Sequence, residues 1–307
     1  MPKIIFFGSS HRAVTALKKI FGHGFRPDVI VTTESPEVEI WSAAHGIKIL
    51  KPKKLDGTFA KLLAAQKPDV GILASYGKLL SEEVLNIFPK GILNIHPSLL
   101  PKYRGPTPEQ AVILNGDKIT GVSVILLKKE MDAGPILAQE ELAVSGQDTL
   151  SSLSVKLFDL GSELLLKILP GWIENKLKPK EQDESRATYT KLLKKEDGHI
   201  DWSRSAEDIE RMVRAFDPWP GTYARYNTPA GGQDTNFRSL KIKKAEIISL
   251  PRDECLPGLV FMFEGFPAVC CGGGALKIVA LQPEGRKEMS GKAFMLGNSR
   301  VAGEVLR

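Results

Sequence analysis

Asn94, His96 and Asp132 have the side-chain types that acyl transfer needs when no covalent intermediate forms. An amide and a protonated imidazole can each donate to a developing oxyanion, while a carboxylate or an imidazole can take a proton from an attacking amine. Asn94 and His96 stand two residues apart, so on a strand they face the same side. Pro97 and Pro101 stiffen the loop that follows, and a stiff loop is a good base for catalytic groups. Asp132 lies in the short connection at 130–135. Taken singly, each residue also has an ordinary structural use. Asn94 and Asp132 could satisfy turn backbones, and His96 could be a hydrogen-bonded core residue.

The elements that must position these groups alternate along the first half. Apolar runs at 3–7, 28–33, 47–50, 70–74 and 91–96 read as strands buried on both faces. Helical spacing at 14–21, 38–45 and 55–66 separates them, with Ser9 or Ser10 as the first cap. That alternation predicts right-handed crossovers and a doubly wound, mostly parallel α/β sheet. Asn94 and His96 then fall near the carboxyl end of a strand, where open α/β sheets bind ligands. Residues 121–128 and 136–144 read as two further strands joined by 130–135, and 150–172 as a long helix. The polar, turn-rich stretch at 177–205 reads as a linker between a domain at 1–176 and one at 206–307. The second domain opens with an amphipathic helix at 206–216. Short strand signals follow at 222–226, 240–248, 258–263, 268–271 and 276–281, which suggests a small OB-like β-barrel.

Composition sets the outer bounds. With 307 residues, 42% of them hydrophobic and a net charge of +6, the chain has ample material for two cores and no charge excess that would prevent collapse. No apolar run approaches the roughly 18 residues of a membrane span, and residues 1–10 lack a signal-peptide pattern. The three cysteines show no framework or zinc-site spacing, so a cytoplasmic protein without a disulfide framework is expected. The turn at 8–13 has one glycine and cannot form the dinucleotide fingerprint, which excludes a nicotinamide enzyme. Charge divides as +5 over 1–180, −3 over 181–217 and +4 over 218–307, a pattern compatible with a polyanionic partner.

The run from Asn94 to Gly105, with Asp132-Ala133-Gly134 further on, resembles the signature of the 10-formyltetrahydrofolate-dependent formyltransferases. In that family an N-x-H pair precedes an S-L-L-P-x-x-R-G loop, and a distant Asp completes the catalytic set. The resemblance implies 10-formyltetrahydrofolate as formyl donor, no metal, and Asn94, His96 and Asp132 as catalytic groups. Asn94 and protonated His96 would stabilise the oxyanion while Asp132 orients His96. It further implies a folate cleft bordered by Ser98, Leu99, Leu100 and Pro101, with Tyr76 and Gly77 alongside.

In the second half, Asp201-Trp202, the run 214–221 and the run 281–289 resemble family members that formylate the methionine on initiator tRNA. Initiator methionyl-tRNA is therefore the expected partner of an expected monomer, with Lys102, Arg104, Arg286 and Lys287 as contacts. One feature departs from those members, which carry a long basic loop after the second strand. Here only Glu34-Ser35-Pro36-Glu37 separates Thr33 from the next helix. An acidic turn cannot neutralise phosphates, so other cations are needed, among them Lys51, Lys53, Lys54, Lys241, Lys243 and Lys244. The alternatives are an amino-sugar nucleotide as acceptor, a 10-formyltetrahydrofolate hydrolase, or a non-catalytic tRNA-binding protein.

Overall fold

In the computed structural model, which describes residues 2–228, 236–249 and 255–307, the first strand β1 (Ile4–Phe7) is buried at all four positions. Its alternate side chains enter two different cores. Ile4 and Phe6 pack with Leu17, Ile20, Phe158 and Leu165, while Ile5 and Phe7 pack with Phe59, Leu63 and Phe88. Each such side chain contributes about 1.5–3 kcal/mol by leaving water. This is why a continuous apolar run, rather than an alternating one, marks a strand covered on both faces.

The chain then runs α1 (His11–Gly22), β2 (Val29–Val31), α2 (Pro36–Ala44), β3 (Lys48–Leu50), α3 (Gly57–Ala64) and β4 (Val70–Ala74). Next come α4 (Glu82–Leu85), β5 (Ile92–His96), α5 (Pro108–Leu114), β6 (Ile119–Leu126), β7 (Ile136–Ala143) and α6 (Leu150–Ile173). Ser10 caps α1 by accepting from the Arg12 and Ala13 amides. Proline at the first turn of α2 starts that helix two residues ahead of its apolar pattern. The short α4 and α5 left too little periodicity to be seen in the sequence.

The strand order is β3-β2-β1-β4-β5-β6-β7. The first five strands are parallel, and β6 and β7 form an antiparallel hairpin on β5. Winding reverses at β1 and β4, so the crevice beyond their carboxyl ends is the place for a ligand. The expected doubly wound, mostly parallel sheet is thus observed.

Backbone contacts divide the chain into two units. The first holds residues 1–109, 118–145 and 152–192, and the second holds 110–117, 146–151 and 193–307. Residues 177–192, polar enough to resemble a linker, lie in the first unit. Lys180 and Ile136 exchange backbone hydrogen bonds at 2.7 and 2.8 Å, and Thr190 N donates to Arg104 O at 2.7 Å. Their composition reports exposed side chains, not a free backbone.

The second unit holds α7 (Ala206–Ala215), β8 (Thr222–Thr228), β9 (Asn236–Ile248), β10 (Val260–Phe263), β11 (Phe266–Cys270), β12 (Ala275–Pro283), β13 (Met289–Ser290) and α8 (Gly291–Gly297). It is an antiparallel sheet of order β10-β11-β12-β9-β8, with β13 on β12. No ladder joins β8 to β10 among the described residues. Ile209, Val213, Leu240, Leu276 and Phe294 form its core. Cys255 and Cys270 pair as a disulfide with Cα atoms 5.7 Å apart, a single pairing that the cysteine spacing did not indicate. Spacing along the chain could not show that β11 ends beside residue 255. No described helix is long and apolar enough to cross a membrane.

Candidate active site

Strand alternation and sheet register place the central pair. Asn94 and His96 lie on β5, both more than nine-tenths buried, and both line a cavity of about 290 Å³ in the first unit. Asp132, in the β6–β7 connection, lines the same cavity. The structure therefore brings together the three groups that the sequence singled out.

The imidazole of His96 has a defined orientation. Its Nε2 lies 3.0 Å from Tyr103 O, and a carbonyl only accepts, so Nε2 carries a hydrogen and Nδ1 is the atom left for chemistry. Nδ1 sits 3.5 Å from Asp132 Oδ1. That is ion-pair range but longer than a direct hydrogen bond, so a small polar group can address both atoms. The other carboxylate oxygen, Asp132 Oδ2, accepts from Gly105 N at 2.8 Å. The Asn94 amide makes no hydrogen bond among the described residues, so its donors are free for a ligand.

Asp132 is held by strain and by wiring. Its φ is +51°, an uncommon backbone conformation for a residue with a side chain. Gln182 Nε2 donates to the carbonyls of Asp132 and Gly134, each at 2.7 Å, and fixes the turn from outside. Gly134 is required there, because a Cβ at that position would collide with the Leu126 carbonyl.

The loop after β5 is held away from the cavity lining. Ser98, Leu99, Leu100 and Pro101, expected to border a folate cleft, do not line the cavity. Ser98 is fully buried and donates to Lys102 O at 2.6 Å. Ser123 Oγ donates to Ser98 O at 2.6 Å and accepts from Leu100 N at 3.0 Å, while Gln139 Nε2 donates to Leu100 O at 2.9 Å. These bonds pin the loop to β6 and β7. Tyr76 and Gly77, by contrast, do line the cavity, followed by Lys78, Leu79 and Leu80. The Tyr76 hydroxyl is buried without a partner among the described residues, and burial pushes its pKa up to about 12. A protonated phenol with nothing to bond is an orphan donor worth about 1–3 kcal/mol to a ligand that supplies an acceptor.

Arg104, expected as a tRNA contact, is 1% exposed. Its guanidinium forks onto Glu184 at 2.7 and 2.8 Å, bonds Gln182 Oε1 at 2.8 and 3.1 Å, and reaches Tyr189 Oη at 3.1 Å. Its donors are consumed inside the first unit, so it cannot meet a phosphate. Its role is to tie the β5 loop to residues 182–189, and through Gln182 to the Asp132 turn. Sequence gave no sign of this, since the partners lie about 80 residues away.

Lys102 is exposed, its ammonium 4.5 Å from the Tyr103 ring centroid. Arg286 and Lys287 are exposed on the second unit. That unit has a cavity of its own, about 430 Å³, lined by Lys195, Trp219, Tyr223, Arg225 and Lys241 among others. Trp219 is 55% exposed, and the side chains of Lys195, Arg225 and Lys241 make no ion pair among the described residues. Of the other cations, Lys51 pairs with Glu39 and Lys243 with Asp217.

The family model for formyl transferases matches residues 26–169, and that for the formyl transferase C-terminal domain matches 192–299. A methionyl-tRNA formyltransferase of Chloroflexus aurantiacus is 42% identical over 96% of both chains. Another, from Roseiflexus sp. (strain RS-1), is 37% identical over 99% of this chain and 95% of its own. Among solved structures, HypX from Aquifex aeolicus in complex with tetrahydrofolic acid superposes with a TM-score of 0.68 at 18% identity, covering 97% of this chain and 47% of HypX. An N-formyltransferase from Helicobacter canadensis, bound to folinic acid and dTDP-3-aminofucose, gives 0.66 at 20% identity over 92% of this chain and all of its own. At such identities the two structures show a common fold.

Proposed function

The chain belongs to the formyl transferase family, and we propose that it moves the formyl group of 10-formyltetrahydrofolate onto the α-amine of initiator methionyl-tRNA. The convergence of Asn94, His96 and Asp132 on one cavity carries the reaction class. Identity of 42% across nearly the whole chain to a protein named for methionyl-tRNA supports the acceptor.

The folate fits the apolar side of the cavity, where Leu79, Leu80, Leu85 and Leu127 can hold a flat ring and the Tyr76 hydroxyl lacks an acceptor among the described residues. The neutral amine attacks the formyl carbon, and the Asn94 amide donates to the oxyanion that develops. His96 Nδ1 and Asp132 Oδ1 face each other across the gap where the amine proton must leave. The carboxylate takes that proton, and His96 Nδ1 is the second polar atom beside it. The carbon–nitrogen bond to the folate then breaks, and the proton ends on the folate nitrogen. Bonds and protons balance in this sequence with no covalent enzyme intermediate.

Lys102, Arg286 and Lys287 are candidates for tRNA contact, whereas the buried Arg104 has its donors engaged within the first unit. Lys195, Arg225 and Lys241 around Trp219 join them, because cations that make no ion pair among the described residues, beside an exposed indole, suit a single-stranded or looped RNA segment. One observation favours the amino-sugar nucleotide instead: the β2–α2 connection is short and contributes Glu34 rather than a cation. Side-by-side formylation of methionyl-tRNA and of an amino-sugar nucleotide decides between them. Preference for methionyl-tRNA, with affinity falling steeply with salt, is expected. Exclusive turnover of the sugar would refute the assignment. Alanine at Asn94, His96 or Asp132 is expected to lower turnover about 100- to 1,000-fold, and survival within a few-fold in all three would overturn the mechanism.

A further inference from the structure

The cavity wall contains an ion pair that the reaction scheme leaves unused. Arg12, in the first turn of α1, lines the cavity together with Glu109 of α5 and Phe158 of α6. Its Nε donates to Ser154 Oγ at 3.1 Å and lies 3.6 Å from Glu109 Oε1. Ser154 Oγ in turn donates to Glu109, whose side chain is 4% exposed. The guanidinium carbon stands 5.9 Å from the Phe158 ring centroid. One edge of the guanidinium is thus fixed by three neighbours.

The other edge is not. Neither terminal nitrogen of Arg12 makes a hydrogen bond among the described residues, and the side chain is 24% exposed. A guanidinium has five donors in a planar fork, a shape matched to carboxylate and phosphate oxygens. Holding such a fork rigid against a buried carboxylate, with four donors left over, gives an anchored docking point rather than a simple internal salt bridge. The lining also divides by element. The loops after β4 and β6 supply the apolar side assigned to the folate, whereas Arg12 and Glu109 come from the helices α1 and α5.

We propose that Arg12 is an acceptor-binding residue, whose terminal guanidinium nitrogens take a phosphate oxygen of the acceptor while Glu109 and Ser154 act as positioning residues. This rests on the methionyl-tRNA reading, in which the phosphate belongs to the terminal nucleotide. Anchoring it there holds the amine against the formyl carbon.

The test compares wild type with Arg12→Gln and Arg12→Lys. Acceptor KM and kcat are measured with methionyl-tRNA, and the folate dissociation constant with 5-formyltetrahydrofolate. Loss of a charge-assisted contact is expected to raise acceptor KM about 10- to 100-fold in Arg12→Gln, more than kcat falls. Arg12→Lys is expected to recover part of that loss, and folate affinity to stay within about twofold. Arg12→Gln strands the buried Glu109 carboxylate, so Arg12→Gln/Glu109→Gln serves as a neutral second variant with the same KM defect expected. Weakened folate affinity with unchanged acceptor KM would overturn the proposal, as would a lowered melting temperature with both binding constants intact. If the wild type leaves methionyl-tRNA unformylated, the parent reading fails instead. The same variants on an amino-sugar nucleotide, which also carries phosphate, then decide the role of Arg12 by the same KM criterion.

Discussion

Replacing Arg104 by Met separates a buried structural cation from a surface contact to RNA. Methionine keeps most of the stem packing of this 1%-exposed side chain and removes only its donors. Glu184 is 68% exposed in its side chain and rehydrates, so loss of that pair adds little. Gln182 Oε1 loses both its arginine donors in a half-buried setting, at a cost of about 1–2 kcal/mol. Tyr189 is mostly exposed and adds little. The cost is therefore about 1–2 kcal/mol, a fall in Tm of roughly 2–8 °C. Gln182 also holds the Asp132 and Gly134 carbonyls, so kcat is expected to fall about tenfold as the Asp132 turn loosens, with KM for tRNA steady within about twofold. Thermal melting and steady-state formylation read the two effects separately. An unchanged Tm together with a raised KM for tRNA would refute this reasoning and return Arg104 to the RNA surface.

Three further perturbations address other links. Gly134→Ala is expected to cost about 3 kcal/mol or more, since the new methyl meets the Leu126 carbonyl, and a variant that melts with the wild type would contradict the geometry of the β6–β7 turn. The hydrogen bond from Arg104 holds the Glu184 carboxyl below its ordinary value of 4.5. A lowered carboxyl stabilises the fold fully above pH 4.5 and stops doing so as pH falls through the folded-state value. The Tm gap between wild type and Glu184→Gln should therefore close on acidification, and a gap that widens would reverse the sign of the pairing. Trp219→Ala is expected to raise KM for tRNA about 5- to 50-fold by removing a stacking surface, with folate affinity unmoved. An unchanged KM would remove the second cavity from the RNA surface.

Legibility followed the range of the interactions. The parallel strands were readable because burial on both faces imposes a continuous apolar run, a local property of β1, β2 and β4. Asn94 and His96 were readable as a pair because the strand period of two is also local. The helices α4, α5 and α8 were not, since 4 to 7 residues complete at most two turns and leave little periodic pattern.

What the sequence by itself determined is the layered α/β unit, the antiparallel β unit and the chemical identity of the central groups. Tertiary structure decided where the motif residues point and which of them touch anything. It pinned the loop from Ser98 to Pro101 to β6 and β7, spent every useful donor of Arg104 on Gln182, Glu184 and Tyr189, and set Arg12 beside Ser154, 142 positions along the chain. The physical reason is that a charged side chain has the same composition whether it is solvated or paired. Only the partners brought to it by folding choose between the two, and nothing in the spacing of one segment records where a distant one will return.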